Sequence, residues 1–324
     1  MSFYPEEPHE ATAGGVELSV VVPVYGCRES LPALHERVAK AAGALVGSWE
    51  LVLVDDCDRQ NSWEVVEAIA RRDPHVRAYR LSRNFGQHAA ITAGLAMCTG
   101  RWVVVMDCDL QDPPERMAEL YAKAQEGYDV VLARRKEKQH SFFRRAAAKM
   151  YFTVINAITS RRFDGEFGSF SIISRKVVDA FLHFRDRDRH YLFILNWLGF
   201  DTATIDYEHQ ERHSGQSAYT VGRLLRHAID GMFFQTTHLL RWIVYGGLWM
   251  SLAGFILAIY YVYMYLMYDV APGFTSVAVL LLLIGGFIIM STGVTGLYIG
   301  KVFEQVKGRP LYVIDKSIVR RETR

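Results

Sequence analysis

The chain has 324 residues, 50% of them hydrophobic, and a formal net charge of +2, enough length for one large domain with an appendage. So near-neutral a balance argues against a nucleic-acid partner, although basic residues are locally bunched. The four cysteines, Cys27, Cys57, Cys98 and Cys108, have no C-x-x-C spacing and are expected to be reduced thiols.

Residues 1–17 contain Pro, Glu and Gly but no apolar run, so they read as a disordered tail rather than a secretory signal. Ser19 to Tyr25 is then a β-branched apolar run ending in a Pro turn. Leu31 to Val46 has helical periodicity, Glu50 to Asp56 is a second buried strand closing on adjacent acids, and Trp63 to Arg72 is helical again. Trp102 to Met106 is a third strand, running into Asp107-Cys108-Asp109 and Leu110-Gln111-Asp112-Pro113-Pro114. The order β-α-β-α predicts an α/β, mostly parallel, Rossmann-like sheet with right-handed crossovers, whose strands deliver side chains to a crevice at their carboxyl ends.

Two carboxylates separated by one residue, Asp107 and Asp109, suit Mg²⁺ or Mn²⁺ shared with a diphosphate, because these hard cations take oxygen ligands and leave places for phosphate. An isolated Asp-x-Asp is more often a solvated strand-end turn; here Asp55, Asp56 and the Pro23-Val24-Tyr25 turn share the expected rim. Cys27, Cys57 and Cys108 fall near the same strand ends, where small buried thiols that fill space are favoured over a soft-metal site. A strand from Asp129 to Ala133 precedes the run Arg134-Arg135-Lys136-Glu137-Lys138, expected as a loop on that rim that is either merely solvated or, favoured by its position, in contact with phosphate. The alternating charges from Arg185 to His190 read instead as a largely self-satisfied surface run.

Two segments place basic residues beside aromatic ones. Ser141 to Ile158 carries Arg144, Arg145 and Lys149, and Val221 to Leu240 carries Arg223, Arg226 and His227; each reads as an in-plane interfacial helix or as an ordinary amphipathic helix on the sheet. Residues 242–267 and 277–299 carry no charge, and at about 1.5 Å per residue each can cross a hydrocarbon core of about 30 Å. With only Asp269 charged in the connector, they form a hairpin across residues 242–300, favoured over two buried core helices by length and by flanking Trp242, Tyr245, Tyr268 and Tyr298. Arg223, Arg226 and Arg241 before it, and Lys301, Lys307 and Arg309 after it, put both flanks in the cytoplasm, with residues 301–324 as a cytoplasmic tail.

The ordered motifs are more specific than any one of them. Val22-Pro23-Val24-Tyr25, Val54-Asp55-Asp56, Leu81 to Gly86, Val105 to Pro114 and Arg212 to Tyr219 together resemble the family 2 glycosyltransferases with a GT-A fold, over roughly residues 18 to 312. Within them the chain resembles the membrane-anchored polyprenyl-phosphate glycosyltransferases related to dolichol-phosphate mannose synthase and bactoprenol glucosyltransferase. The resemblance implies a GT-A domain over 18–220, an interfacial helix over 221–241 and then the transmembrane hairpin. It also implies Asp55 and Arg83 at the base, with Pro23, Tyr25 and Asp56 beside them, Asp107 at the ribose and metal, Asp109 at the metal, and Arg212 with Ser217 at the phosphates.

The expected reaction is inverting transfer from a nucleotide-sugar, UDP-linked by preference, to undecaprenyl or dolichyl phosphate, catalysed at the cytoplasmic face of the cell membrane, or of the ER membrane in a eukaryote. Arg134 or Arg135 with Arg144 or Arg145 would receive the acceptor. Many relatives carry an Asp before the next helix as a base, where this chain reads Glu166-Phe167-Gly168-Ser169-Phe170. Ser169 cannot serve unaided and Glu166 is the fallback. A phosphate monoester is already largely dianionic at neutral pH and needs no base, so this departure favours a lipid-phosphate acceptor over a sugar hydroxyl. The rivals are a hydroxyl-directed polysaccharide or glycolipid glycosyltransferase and a non-catalytic membrane scaffold; a homo-oligomer is left open.

Overall fold

The computed structural model describes residues 15–136, 167–184, 186–187, 189–208, 238–268 and 273–319. Arg144, Arg145, Glu166, Arg212, Ser217 and the segment from Ser141 to Ile158 lie outside the described residues, as do residues 221–237 of the expected interfacial helix.

The first strand, β1 (Leu18–Val24), is buried at every position, as a central strand covered on both faces must be. Its side chains alternate. Leu18, Val20, Val22 and Val24 face one core layer, while Val21 faces the other. After it come α1 (Leu31–Leu45), β2 (Trp49–Asp55), α2 (Trp63–Arg72), β3 (Val76–Leu81), α3 (Gln87–Met97) and β4 (Trp102–Val105). Helix α1 buries Leu31, Leu34, Val38 and Ala42, one stripe at helical spacing, in the layer that also takes α2. Helix α3 closes tightly on the opposite face: a Cβ on Gly94 would lie 2.3 Å from Val21 Cγ1, so this position accepts only glycine without displacement.

A 3₁₀ turn (Pro114–Arg116) leads into α4 (Met117–Gln125), followed by β5 (Val130–Lys136) and β6 (Phe167–Ser174). Then come α5 (Arg175–His183), α6 (Tyr191–Leu198) and β7 (Thr202–Glu208). Near the C-terminus lies β8 (Ile314–Ile318). Among the described residues these strands form one eight-stranded sheet in the order β7-β5-β6-β4-β1-β2-β3-β8. Strands β1 to β4 run parallel, whereas β6 is antiparallel to both β4 and β5, and β8 is antiparallel to β3. The sheet is therefore mixed but mostly parallel, the expected α/β architecture.

Two expectations are corrected here. The strand expected to stop at Ala133 continues through Arg134 and Arg135 to Lys136, because β7 pairs with it in parallel as far as Lys136 opposite Glu208. Part of the stretch read as a cytoplasmic tail, Ile314–Ile318, is a strand on the sheet edge, registered from Ala78 opposite Ile318 to Leu81 opposite Ile314.

The chain divides into two compact units, the first comprising residues 1–146, 164–217 and 309–324, the second residues 147–163 and 218–308. The described part of the second consists of α7 (His238–Tyr268) and α8 (Phe274–Val306). Within them Ile243–Tyr268 and Leu283–Val306 are long and apolar enough to cross a membrane. Their apolar side chains are exposed, Trp249 at 70% and Ile289 at 75%, which a core helix of a soluble protein would not tolerate. Gly246 and Gly247 let the two helices meet at the Phe287 ring, 3.5 and 3.3 Å from where their Cβ atoms would stand.

Candidate active site

The carboxyl ends of β1, β2 and β4 carry the chemistry-bearing residues. Pro23 is buried inside β1, opposite Val54 and beyond the last pairing of β4 at Val105, so its missing N–H breaks no bond to that strand. Tyr25 is half-exposed at the strand exit. Gly26 follows with φ +68°, and its N–H donates to Asp58 Oδ2 at 2.8 Å. Asp58 Oδ1 also accepts from the Ser62 N–H at 2.9 Å, so one carboxylate fastens the turn after β1 to the turn after β2.

Asp55 ends β2 fully buried, and neither of its oxygens finds a well-aligned hydrogen-bond donor among the described residues. Arg80 Nε stands 3.2 Å away. Burial, followed by the charge of Asp58, pushes this carboxyl up to about 6. Asp56 is built differently: Oδ1 accepts the Phe85 N–H at 2.7 Å and Oδ2 the Gly86 N–H at 2.9 Å. Both oxygens are thus committed to the backbone, and Asp56 shapes the loop that carries Arg83, whose guanidinium lies 4.2 Å above the Phe85 ring.

At the end of β4, Asp107 is half-buried, and its Oδ1 accepts two neutral donors: Gln87 Nε2 at 2.8 Å and Ser169 Oγ at 2.6 Å. Burial, then the charges of Asp112 and Asp109, push its carboxyl up to about 6, against the opposing pull of Ser169 and Arg135. Asp109 accepts from the Gln111 N–H at 3.2 Å, and Leu110 between them has φ +62°, a left-handed conformation uncommon for a branched side chain. Behind this loop Asp112 is fully buried; Tyr207 donates to its Oδ1 in a short hydrogen bond, and Arg135 reaches the same oxygen at 3.3 Å. Arg135 Nε also donates to Tyr207 Oη at 3.0 Å, and its guanidinium lies 3.9 Å from Asp107 Oδ2. A Cβ on Gly168 would fall 2.7 Å from that guanidinium, so glycine there leaves Arg135 its place.

Arg135 and Arg134, expected as neighbours on one phosphate-binding loop, separate because they alternate along β5. Arg134 pairs bidentately with Asp206 on β7, at 2.7 and 3.1 Å, while Arg135 turns to the acids. The cysteines also depart from expectation, since Cys27 and Cys108 form a disulfide rather than reduced thiols. The exits of two adjacent parallel strands bring their Cα atoms to 6.0 Å, within bridging reach. Ser30 Oγ donates between the two carbonyls, at 2.9 Å to Cys27 and 2.7 Å to Cys108. Cys57 and Cys98 are free.

Asp55, Asp56 and Arg83 therefore gather after β2 and β3, and Asp107 and Asp109 after β4 with Arg135 behind them. Gln87, Asp112 and Tyr207 were missed as partners. Gln87 directly follows the motif Leu81 to Gly86, and Asp112 lies inside the motif Val105 to Pro114, so both were within view; nothing in the sequence singled out Tyr207.

Residues 19–182 match the glycosyl transferase family 2 model, slightly more than half of the chain. This chain is a family 2 glycosyltransferase. It is 38% identical over 309 residues to a Proteus mirabilis protein named undecaprenyl-phosphate 4-deoxy-4-formamido-L-arabinose transferase, covering 93% of this chain and 94% of that one. It is 33% identical over 304 residues to the Bacillus subtilis glycosyltransferase YkcC, covering 93% and 94%. Among solved structures it is similar to glucosyl-3-phosphoglycerate synthase from Mycobacterium tuberculosis, with a TM-score of 0.47 and 15% identity over 68% of this chain and 78% of that one. The GT-A architecture expected from the motifs is met in this glycosyltransferase by its mostly parallel sheet with the acidic pair at the end of β4.

Proposed function

We propose that this glycosyltransferase transfers a single sugar, with inversion, from a nucleotide-sugar to a polyprenyl phosphate at the cytoplasmic membrane face. The observation that carries this reading is the 38% identity to an undecaprenyl-phosphate sugar transferase along 93% of the chain, a span too long to exclude the apolar helices. The 4-deoxy-4-formamido-L-arabinose of that relative is the first donor sugar to try, as its UDP derivative.

Asp55 and Arg83, with Tyr25 at the rim, take the nucleoside end of the donor, and Asp56 holds the Arg83 loop in place. Asp107 and Asp109 suit Mg²⁺ or Mn²⁺: the raised carboxyl of Asp107, crowded by Asp109 and Asp112, is a site short of positive charge, and a pair of acids leaves coordination places for diphosphate oxygens. When bound, such an ion supplies Lewis-acid neutralisation of the departing diphosphate. Arg212 and Ser217 contact the donor phosphates, and Arg212 offsets the charge that grows on the leaving group. Arg144 and Arg145 draw in the acceptor, while Arg134 is held by Asp206 and Arg135 by Asp112 and Tyr207. The acceptor phosphate arrives as its own nucleophile, and Glu166 is required as a base only for a hydroxyl acceptor.

Chain connectivity supports a two-span arrangement. The sheet unit contains residues on both sides of α7 and α8, so a chain that leaves it for the bilayer must return to the same face after an even number of crossings. The test is to incubate detergent-solubilised protein with UDP- and GDP-sugars, Mg²⁺ or Mn²⁺, and undecaprenyl or dolichyl phosphate, and to weigh the lipid product. One glycosyl-phospholipid mass is expected. Transfer to a sugar hydroxyl with none to lipid phosphate would overturn the proposal.

A further inference from the structure

We infer that Gln87 and Ser169 are positioning residues for Asp107, which together commit one of its carboxylate oxygens to the protein and reserve the other for a cation. The inference rests on the proposed cation-binding role of Asp107. Both donors act on the same atom, Oδ1, and they come from separate elements: Gln87 is the first residue of α3, and Ser169 lies in β6. Two donors approaching one oxygen from different elements fix the orientation of the carboxylate as well as its position. Among the described residues, Oδ2 makes only the 3.9 Å contact to Arg135.

The chemistry of the donors matters as much as their number. An amide and a hydroxyl stabilise the ionised carboxylate without cancelling its charge, whereas a lysine or arginine on Oδ1 would compete with the cation. Each donor is also held from behind. Ser171 Oγ donates to the Ser169 carbonyl at 2.9 Å and shares a hydrogen bond with buried Tyr191 Oη at 2.8 Å. Gln87 follows Gly86, whose φ of +96° is held by the bond from its N–H to Asp56. The loop that carries Arg83 therefore also sets Gln87, tying the nucleoside end of the site to the acidic end through covalent backbone.

Mn²⁺ binding separates this role from a structural one. With the full-length protein in detergent and UDP present, free Mn²⁺ is read by electron paramagnetic resonance for wild type and for Gln87→Ala, Ser169→Ala, the double variant, Ser169→Thr and Asp107→Asn. Loss of a partner behind a metal ligand typically costs about 10–100-fold in affinity. Each single variant should therefore weaken Mn²⁺ binding about tenfold and the double variant more, with an unchanged melting temperature and turnover within about tenfold of wild type once Mn²⁺ saturates. Ser169→Thr, which keeps the hydroxyl, should restore most of the affinity. Wild-type Mn²⁺ affinity in the double variant, with binding lost in Asp107→Asn, would overturn the positioning role and leave the cation site standing. Undiminished binding by Asp107→Asn would instead remove the cation reading itself, and the inference with it.

Discussion

Asp55 ends β2 and Asp107 follows β4, on either side of β1, and both carboxyls are pushed up to about 6 by burial and neighbouring acids, yet their hydrogen bonding differs. Asp55 is fully buried, with no well-aligned donor on either oxygen. Asp107 has two neutral donors on one oxygen, and two acids, Asp112 and Asp109, crowd it beyond burial. The remedies therefore differ. Asp55, with Arg80 already beside it and both oxygens short of aligned donors, has room for a neutral N–H from a ligand, whereas Asp107, with one oxygen fixed by neutral donors and two further acids beside it, suits a cation. On the proposed reading, the two ends of the crevice take different parts of one nucleotide donor.

The sharpest way to break this contrast is at the acidic end. Asp109→Asn removes a charge and little packing, so turnover should fall by about 10²–10³-fold, with thermal unfolding unchanged; near-normal turnover by the folded variant would sink the cation assignment. Arg135→Ala strips the positive partner from fully buried Asp112, and breaking such a pair costs about 3 kcal/mol, read as a lowered urea midpoint. Adding Asp112→Asn should recover part of that loss, because the uncompensated charge is gone.

At the other end the sign reverses. A carboxyl raised in the folded state contributes stability that is full below its unfolded value near 4 and is lost as pH rises through about 6. Asp55→Asn should therefore raise stability at pH 7 by on the order of 2 kcal/mol, raise it little at pH 4.5, and weaken binding of the nucleotide-sugar. Melting curves across that range, beside the KM for donor, read both effects; a destabilised variant at pH 7 would erase the contrast. The smallest effect is expected at Arg134→Ala, since an exposed ion pair contributes under about 1 kcal/mol. Turnover and the KM for lipid phosphate should stay within about threefold, and a large rise would return Arg134 to the acceptor site.

Strands β1, β2 and β4 were legible because they are continuous apolar runs rich in valine and closed by turn residues, whereas β3, Val-Arg-Ala-Tyr-Arg-Leu, interleaves arginines with apolar residues and was not read as a strand. The rest was hidden for identifiable reasons. Basic residues at Arg134, Arg135 and Lys136 hid the end of β5, which is extended because β7 pairs with it as far as Lys136 and β6 pairs at Arg134. Strand β8 reads Ile-Asp-Lys-Ser-Ile, short and mostly exposed, and owes its extended form to the backbone of β3. Within the site, the acids at strand ends announced themselves through local motifs. Their partners did not: Ser169 reaches Asp107, Tyr207 reaches Asp112 and Cys27 reaches Cys108 across long stretches of sequence, and such pairings follow from strand order, which no local pattern encodes.

The position of β8 in the chain imposes an order of assembly. Strand β3 is translated early, and its outer row of backbone donors and acceptors faces no partner until Ile314–Ile318 leaves the ribosome, after both long apolar helices have been made. The enzyme's sheet cannot be closed while those helices are still being synthesised, so a nascent chain with a complete crevice still carries a sticky edge. A chain cut before Ile314 keeps that edge for its lifetime, and the short strand Ile314–Ile318 acts as its seal against pairing with other chains.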